Sequence, residues 1–221
     1  MNSAAHKDVC NHLVSSEHNL VRQGHDMLST NVKKNQYTEK VTEDFDFSFD
    51  GAVSFRLPRL DLSSLPAGFK VGVLVGPSGT GKTSLLRKFG EVHDPSWDGL
   101  DSVMQHGAFA CLPTSQAHEL LTAVGLSDVQ GRLPFHCLSD GQKARADTAA
   151  LLAPLLNAGC ASETKFVVID EFTSLLDRTG AQGLGESIGR YIVAHQEVRG
   201  VVLATCHQDV LPALASVKVL D

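Results

Sequence analysis

Apolar residues gather in three short, nearly continuous runs, at 71–75 (VGVLV), 166–169 (FVVI) and 201–205 (VVLAT). Runs of this length with polar or glycine-rich flanks predict strands buried on both faces of a parallel sheet. Between the last two, Leu184, Ile188 and Ile192 recur every fourth position and predict a helix with one apolar face. Leu151 and Leu152 close another apolar-rich helix, which Pro154 ends or bends. SVKVL closes the chain after a short helical stretch. Strands alternating with helices predict an α/β fold.

Upstream the pattern differs. Val41, Phe45, Phe47 and Phe49 fall on a period of two or four, Asp50-Gly51 makes a turn, and AVSFRL follows, which predicts an antiparallel hairpin. Residues 1–36 show only weak helical periodicity and read as a polar tail or loose helix, leaving 37–221 as the folded domain. His6, Cys10, His12, His18 and His25 lie in that tail, at spacings that fit no closed zinc pattern.

Composition narrows the class. The 221 residues are 43% hydrophobic and 20% charged, as in an ordinary globular protein. A net charge of -6 with no basic strip argues against a protein that coats nucleic acid. The five cysteines are odd in number, scattered and free of CxxC pairs, which predicts reduced intracellular thiols. The opening segment is too polar for a signal peptide, and no run approaches the ~20 apolar residues of a membrane span. A soluble cytoplasmic protein is expected.

Candidate chemistry begins where the first buried run ends. Gly76, Pro77, Ser78, Gly79, Thr80, Gly81, Lys82 and Thr83 satisfy G-x-x-x-x-G-K-[ST], with a strand before and the helical SLLRKF, starting at Ser84, after. In such a loop the glycines let backbone N–H groups wrap a di- or triphosphate, Lys82 reaches the β and γ phosphates, and Thr83 ligates Mg²⁺. The second run ends in Asp170 and Glu171, placed to hold Mg²⁺ and to orient or deprotonate an attacking water. Strand-end acids downstream of a phosphate loop on a shared sheet predict a nucleoside triphosphatase.

Leu138, Ser139, Asp140, Gly141 and Gln142 stand between these motifs, and the run resembles the LSGGQ signature of ATP-binding cassette (ABC) ATPases. Ser174-Leu175-Leu176-Asp177 resembles that family's D-loop, and His207, after VVLATC, its switch histidine. The motif order is also the family's. The resemblance implies a P-loop NTPase fold, here an ABC nucleotide-binding domain with an antiparallel β extension and a reduced helical subdomain. It further implies ATP and Mg²⁺ as ligands, ATP-driven head-to-tail homodimerisation, and a signature acting on the nucleotide of the opposite copy. By the same resemblance His207 contacts the γ phosphate, Asp177 communicates across the dimer, and Phe49 is the candidate adenine-stacking aromatic. Either Gln105 or Gln116 ends the strand before the helical subdomain as the Q-loop residue.

Only 56 positions separate Thr83 from Ser139, which leaves little room for a transporter's docking subdomain or for a coiled coil. Transport is therefore disfavoured. LSDGQKARADTA, VVIDEFTSLLDR and ATCHQDVLPAL resemble most closely the ABC-type ATPases fused to predicted GNAT-type acetyltransferases, over residues 40–221. That group shares the variant signature followed by Arg145-Ala146-Asp147, and AVGLSDV also fits it. The 36 residues before the cassette are too few for an acyltransferase, so such a partner would act in trans. A nucleotide-gated module with negligible turnover and a DNA-associated clamp are the alternatives.

Overall fold

The computed structural model describes residues 27–45, 50–58, 60, 62, 69–156 and 166–214. The chain divides after Leu60 into two compact units. In the first, β1 (Met27–Asn31) and β2 (Ala52–Arg56) pair antiparallel, from Met27 opposite Arg56 to Asn31 opposite Ala52. Helix α1 (Gln36–Phe45) lies between them in sequence. Asn35 starts it, its Oδ1 accepting from Tyr37 N at 2.9 Å and Thr38 N at 3.2 Å.

The antiparallel extension is thus present, but the predicted hairpin is corrected. The partner of AVSFR is Met27–Asn31, inside the segment expected to be tail or loose helix, and the stretch carrying Val41 and Phe45 is helical. A spacing of four fits one face of a helix as well as one face of a strand, and the Asn35 cap decides between them. Phe47, Phe49 and SVKVL lie outside the described residues.

In the second unit β3 (Val71–Val75), β4 (Val167–Ile169) and β5 (Val201–Thr205) form a parallel sheet in the order β3-β5-β4. Val201 pairs with both Val71 and Val167, so the strands run in step. Alternate residues of β5 enter opposite cores: Val201 and Leu203 join the larger cluster, Val202 and Ala204 the smaller. That alternation is why the apolar runs are continuous.

Helices α2 (Lys82–Leu86), α3 (Thr114–Ala123), α4 (Asp128–Gly131), α5 (Asp140–Leu152), α6 (Arg178–Ala194) and α7 (Leu211–Leu214) complete this unit. Leu184, Ile188 and Ile192 of α6 are fully buried in the larger cluster, each such side chain contributing about 1.5–3 kcal/mol. Helix α5 ends at Leu152 and tightens into a 3-10 turn over Ala153–Leu156, where Pro154 removes a donor. Lys70 Nζ donates to the carbonyls of Ile192 at 2.7 Å and His195 at 3.2 Å, satisfying the end of α6. Among the described residues no helix is long and apolar enough to cross a membrane.

Candidate functional site

The in-step sheet brings three loops to its carboxyl edge. Val75 stands opposite Thr205, and Gly76 N–H donates to the Thr205 carbonyl at 3.3 Å. The phosphate-type loop coils from there. Gly79 and Gly81 hold φ of +80° and +85°, a region costly to residues with a Cβ. The Thr80 hydroxyl donates to the Pro77 carbonyl at 2.8 Å and closes the coil. Pro77, Ser78 and Gly79 are exposed, and Ser84 sits half-buried in the first turn of α2.

Lys82 Nζ folds over this loop, donating to the carbonyls of Gly76 at 2.8 Å and Pro77 at 2.9 Å. Thr83 Oγ1 donates to Asp170 Oδ2 at 2.5 Å, joining the helix after β3 to the end of β4. The other Asp170 oxygen accepts from Glu171 N–H at 2.9 Å. Glu171 has φ +48° and is the single non-glycine residue with positive φ among the described residues. Ser174 Oγ donates to the Glu171 carbonyl at 3.0 Å and to its Oε2 at 3.2 Å, holding an otherwise exposed carboxylate.

His207 follows β5. Its N–H donates to Thr205 Oγ1 at 3.0 Å, and its Nδ1 lies 2.9 Å from Thr173 Oγ1. The two threonine hydroxyls are 2.7 Å apart and buried. The sheet edge therefore carries Lys82, Thr83, Asp170, Glu171 and His207, five of the residues singled out by sequence.

Ser139 is the N-cap of α5 in a reciprocal box. Its Oγ accepts from Gln142 N at 3.4 Å, and Gln142 Oε1 accepts from Ser139 N at 3.0 Å. Asp140 is exposed, with Lys143 Nζ 3.5 Å away. A Cβ on Gly141 would stand 3.1 Å from Leu176 Cδ2, so the start of α5 leans on the segment before Asp177. Asp177 caps α6, its Oδ1 accepting from Gly180 N at 2.6 Å.

Neither glutamine candidate ends a strand, which corrects that part of the reading. Gln105 closes a 3-10 turn over Val103–Gln105, where its Oε1 accepts from Ser102 N at 3.0 Å and Oγ at 2.7 Å; Gln116 lies in the first turn of α3. Ser102 caps the shorter conformation locally, and the segment holds no apolar alternation to extend it. Phe49 lies outside the described residues.

Four further side chains, Thr173, Thr205, Arg145 and Trp97, contribute in ways that motif spacing does not reveal, Arg145 having entered only through the resemblance. Thr173 and Thr205 support His207, and both sat inside matched runs as unremarked polar residues. Arg145 Nη1 donates to the Val124 carbonyl at 2.6 Å, and burial lowers the affinity of its guanidinium for its proton while Asp177 opposes that effect. Trp97 Nε1 donates to Asp147 Oδ1 at 2.7 Å and stacks on Phe135 at 4.5 Å, just ahead of the signature-like turn. Burial pushes the Asp147 carboxyl above its ordinary range, and the Trp97 bond counteracts it.

No family model and no curated protein matches this sequence. Solved structures do. The ATP-binding cassette MJ0796, in a dimeric post-hydrolysis state bound to ADP and Pi, aligns with TM-score 0.54 and 15% identity over 84% of this chain and 88% of its own. A second dimeric structure of MJ0796, described as a bacterial ABC transporter cassette, aligns with TM-score 0.51 and 16% identity over 71% of this chain and 82% of its own. With the parallel sheet and its edge loops already in place, these likenesses establish that the chain has the P-loop NTPase fold of an ABC-type ATPase cassette.

Proposed function

We propose that the chain binds and hydrolyses ATP with Mg²⁺, closing as a head-to-tail homodimer that controls a partner in trans. The observation that carries this reading is the 2.5 Å contact between Thr83 Oγ1 and Asp170 Oδ2 beneath the phosphate-type loop. A hydroxyl and a carboxylate so placed suit a small hard cation with oxygen ligands, so the residues present fit Mg²⁺. When bound, Mg²⁺ supplies charge neutralisation at the phosphates.

The chain's own residues do the rest. Lys82 releases its two loop carbonyls to meet the β and γ phosphates, and the N–H groups of a glycine loop running into a helix start, from Gly79 to Thr83, would serve the same anion. Glu171 orients or deprotonates water at the γ phosphate, and His207 donates to a γ oxygen. Ser139 and Gly141 of the opposite copy close the site through the start of α5, and Asp177 acts across the same interface. Phe49 is kept as the adenine contact and Gln105 or Gln116 as the Q-loop residue. The 56-position interval between Thr83 and Ser139 supports a role without membrane docking. The cytoplasmic setting rests on the cysteine pattern, and a partner that is an acyltransferase or another macromolecule-modifying enzyme rests on the resemblance alone.

One observation favours a second reading, a nucleotide-gated module with negligible turnover. The Ser139–Gln142 box already engages the Ser139 N–H and one hydroxyl lone pair. Steady-state ATP hydrolysis across a protein concentration series separates the two. A rate per subunit that rises with concentration and disappears in Lys82→Ala and Glu171→Gln supports the dimeric ATPase. Tight ATP binding without turnover at any concentration would give the gating module the lead.

A further inference from the structure

Thr173 and Thr205 are 0% and 1% exposed, the least exposed polar residues of the second unit among the described residues, and they meet beneath His207. A buried hydroxyl must place its one proton on an acceptor or lose the free energy of an unmade hydrogen bond, about 1–3 kcal/mol. That requirement fixes the direction of the whole chain of contacts.

Thr205 Oγ1 accepts from His207 N–H, and among the described residues its remaining hydrogen-bond neighbour is Thr173 Oγ1. The Thr205 proton therefore goes to Thr173. The Thr173 proton then has one acceptor left, His207 Nδ1 at 2.9 Å. In the reverse order, Nδ1–H would donate to Thr173, Thr173 would donate to Thr205, and the Thr205 proton would be buried without an acceptor. We infer that Thr173 and Thr205 form a buried hydroxyl relay that fixes His207 in the Nε2–H tautomer, so that the ring presents an N–H donor at the sheet edge.

The consequence for catalysis rests on the ATPase reading. A neutral imidazole locked with Nε2–H outward can donate to a phosphoryl oxygen without first exchanging its proton, and the relay prevents the ring from flipping to offer a lone pair instead. Thr173 and Thr205 are positioning residues, since they act through His207. Thr173 lies three positions after Asp170 and Thr205 closes β5, so both are set by strand ends that the fold already needs.

The tautomer is read without nucleotide. Long-range ¹H–¹⁵N spectra of histidine-labelled protein at about pH 9, above the ordinary imidazole pKa, distinguish the two ring nitrogens, with His207→Gln assigning the signal. The expected wild-type pattern is a protonated Nε2 and an unprotonated Nδ1. Thr173→Val should give a mixture of tautomers, and Thr173→Ser should keep the wild-type one. In the ATPase assay Thr173→Val should lower kcat about 10- to 100-fold with KM for ATP nearly unchanged, by analogy with the loss on removing the outer partner that orients a metal-ligating histidine, and Thr173→Ser should restore most of it. A wild-type His207 carrying its proton on Nδ1 overturns the inference, as does a Thr173→Val protein with the wild-type tautomer. The ring spectrum decides the relay in folded wild-type protein whether or not ATP is turned over, so loss of the ATPase reading and loss of this one are separate results.

Discussion

Glu171 holds φ +48°, and at a residue with a Cβ that conformation costs roughly 1–2 kcal/mol. The Asp170 carboxylate and Ser174 hydroxyl keep it there, so strain is concentrated at the residue assigned to water. Glycine at 171 should therefore be more stable than alanine by about 1 kcal/mol, the reverse of their usual order. Thermal unfolding of Glu171→Gly and Glu171→Ala checks this, and an alanine variant as stable as the glycine one removes the strain argument. Asp147 gives a pH-dependent counterpart. Burial raises its carboxyl pKa above the ordinary 3.8, so the folded state holds that proton more tightly than the unfolded chain. Stability is then lost as pH rises from the ordinary carboxylate range through the raised folded value. Asparagine retains an acceptor for Trp97 without the charge. Asp147→Asn should match wild type near about pH 4 and unfold at a higher temperature than wild type at about pH 7. A gap independent of pH would mean that the carboxylate is no less comfortable folded than unfolded. Lys82, Thr83, Asp170, Glu171 and His207 were legible because each sits at a run's end beside its own motif. Thr173 and Thr205 were not, because a hydroxyl after the strand-end acids and one closing an apolar run declare a role only once the strands are aligned.

At the scale of elements, α6 shows how one helix serves two surfaces. Its Leu184, Ile188 and Ile192 face the core, and its glycines admit a neighbour. A Cβ on Gly185 would come within 2.8 Å of Val210 Cγ1, and one on Gly189 within 3.1 Å of the Ala213 carbonyl, whereas one on Gly183 would meet nothing within 4 Å among the described residues. Close approach of α7 and the turn before it needs the first two positions and not the third. Gly189→Ala should destabilise the protein by about 1–3 kcal/mol through overpacking, despite its better helix propensity. Gly183→Ala should stabilise it by about 0.5–1 kcal/mol. Urea unfolding measures both, and a stabilising Gly189→Ala would show that α7 yields easily. The core face of α6 was readable from its four-residue period, but the glycine face was not, because a missing side chain leaves no apolar signal. The β1–α1–β2 segment failed differently. Val41 and Phe45 suit either period, and the pairing of AVSFR with Met27–Asn31 spans a helix that local pattern could not anticipate.

At the scale of the whole molecule the net charge of -6 opposes association of two copies, and in the proposed dimer each bound ATP would add to the repulsion. Asp140 bears on this directly, because it replaces the usual glycine of the signature it resembles and is exposed at the start of α5, where its charge is offset within the chain by Lys143 at 3.5 Å. Head-to-tail closure would carry that carboxylate towards the opposite nucleotide. Its repulsion across partly hydrated space is on the order of 1 kcal/mol, about a fivefold effect on dimer affinity. With Glu171→Gln in ATP and Mg²⁺, light scattering should show a dimer that tightens as salt rises from about 0.05 to 0.3 M, as screening shortens the reach of like charges. Adding Asp140→Asn should tighten the dimer about fivefold at the low-salt end and flatten the salt dependence. If Asp140→Asn changes neither, the carboxylate points away from the interface and the variant signature is electrostatically silent. If no dimer forms at any salt, α5 is not the surface that meets the second copy, and the shared-site reading of Ser139 and Gly141 falls with it.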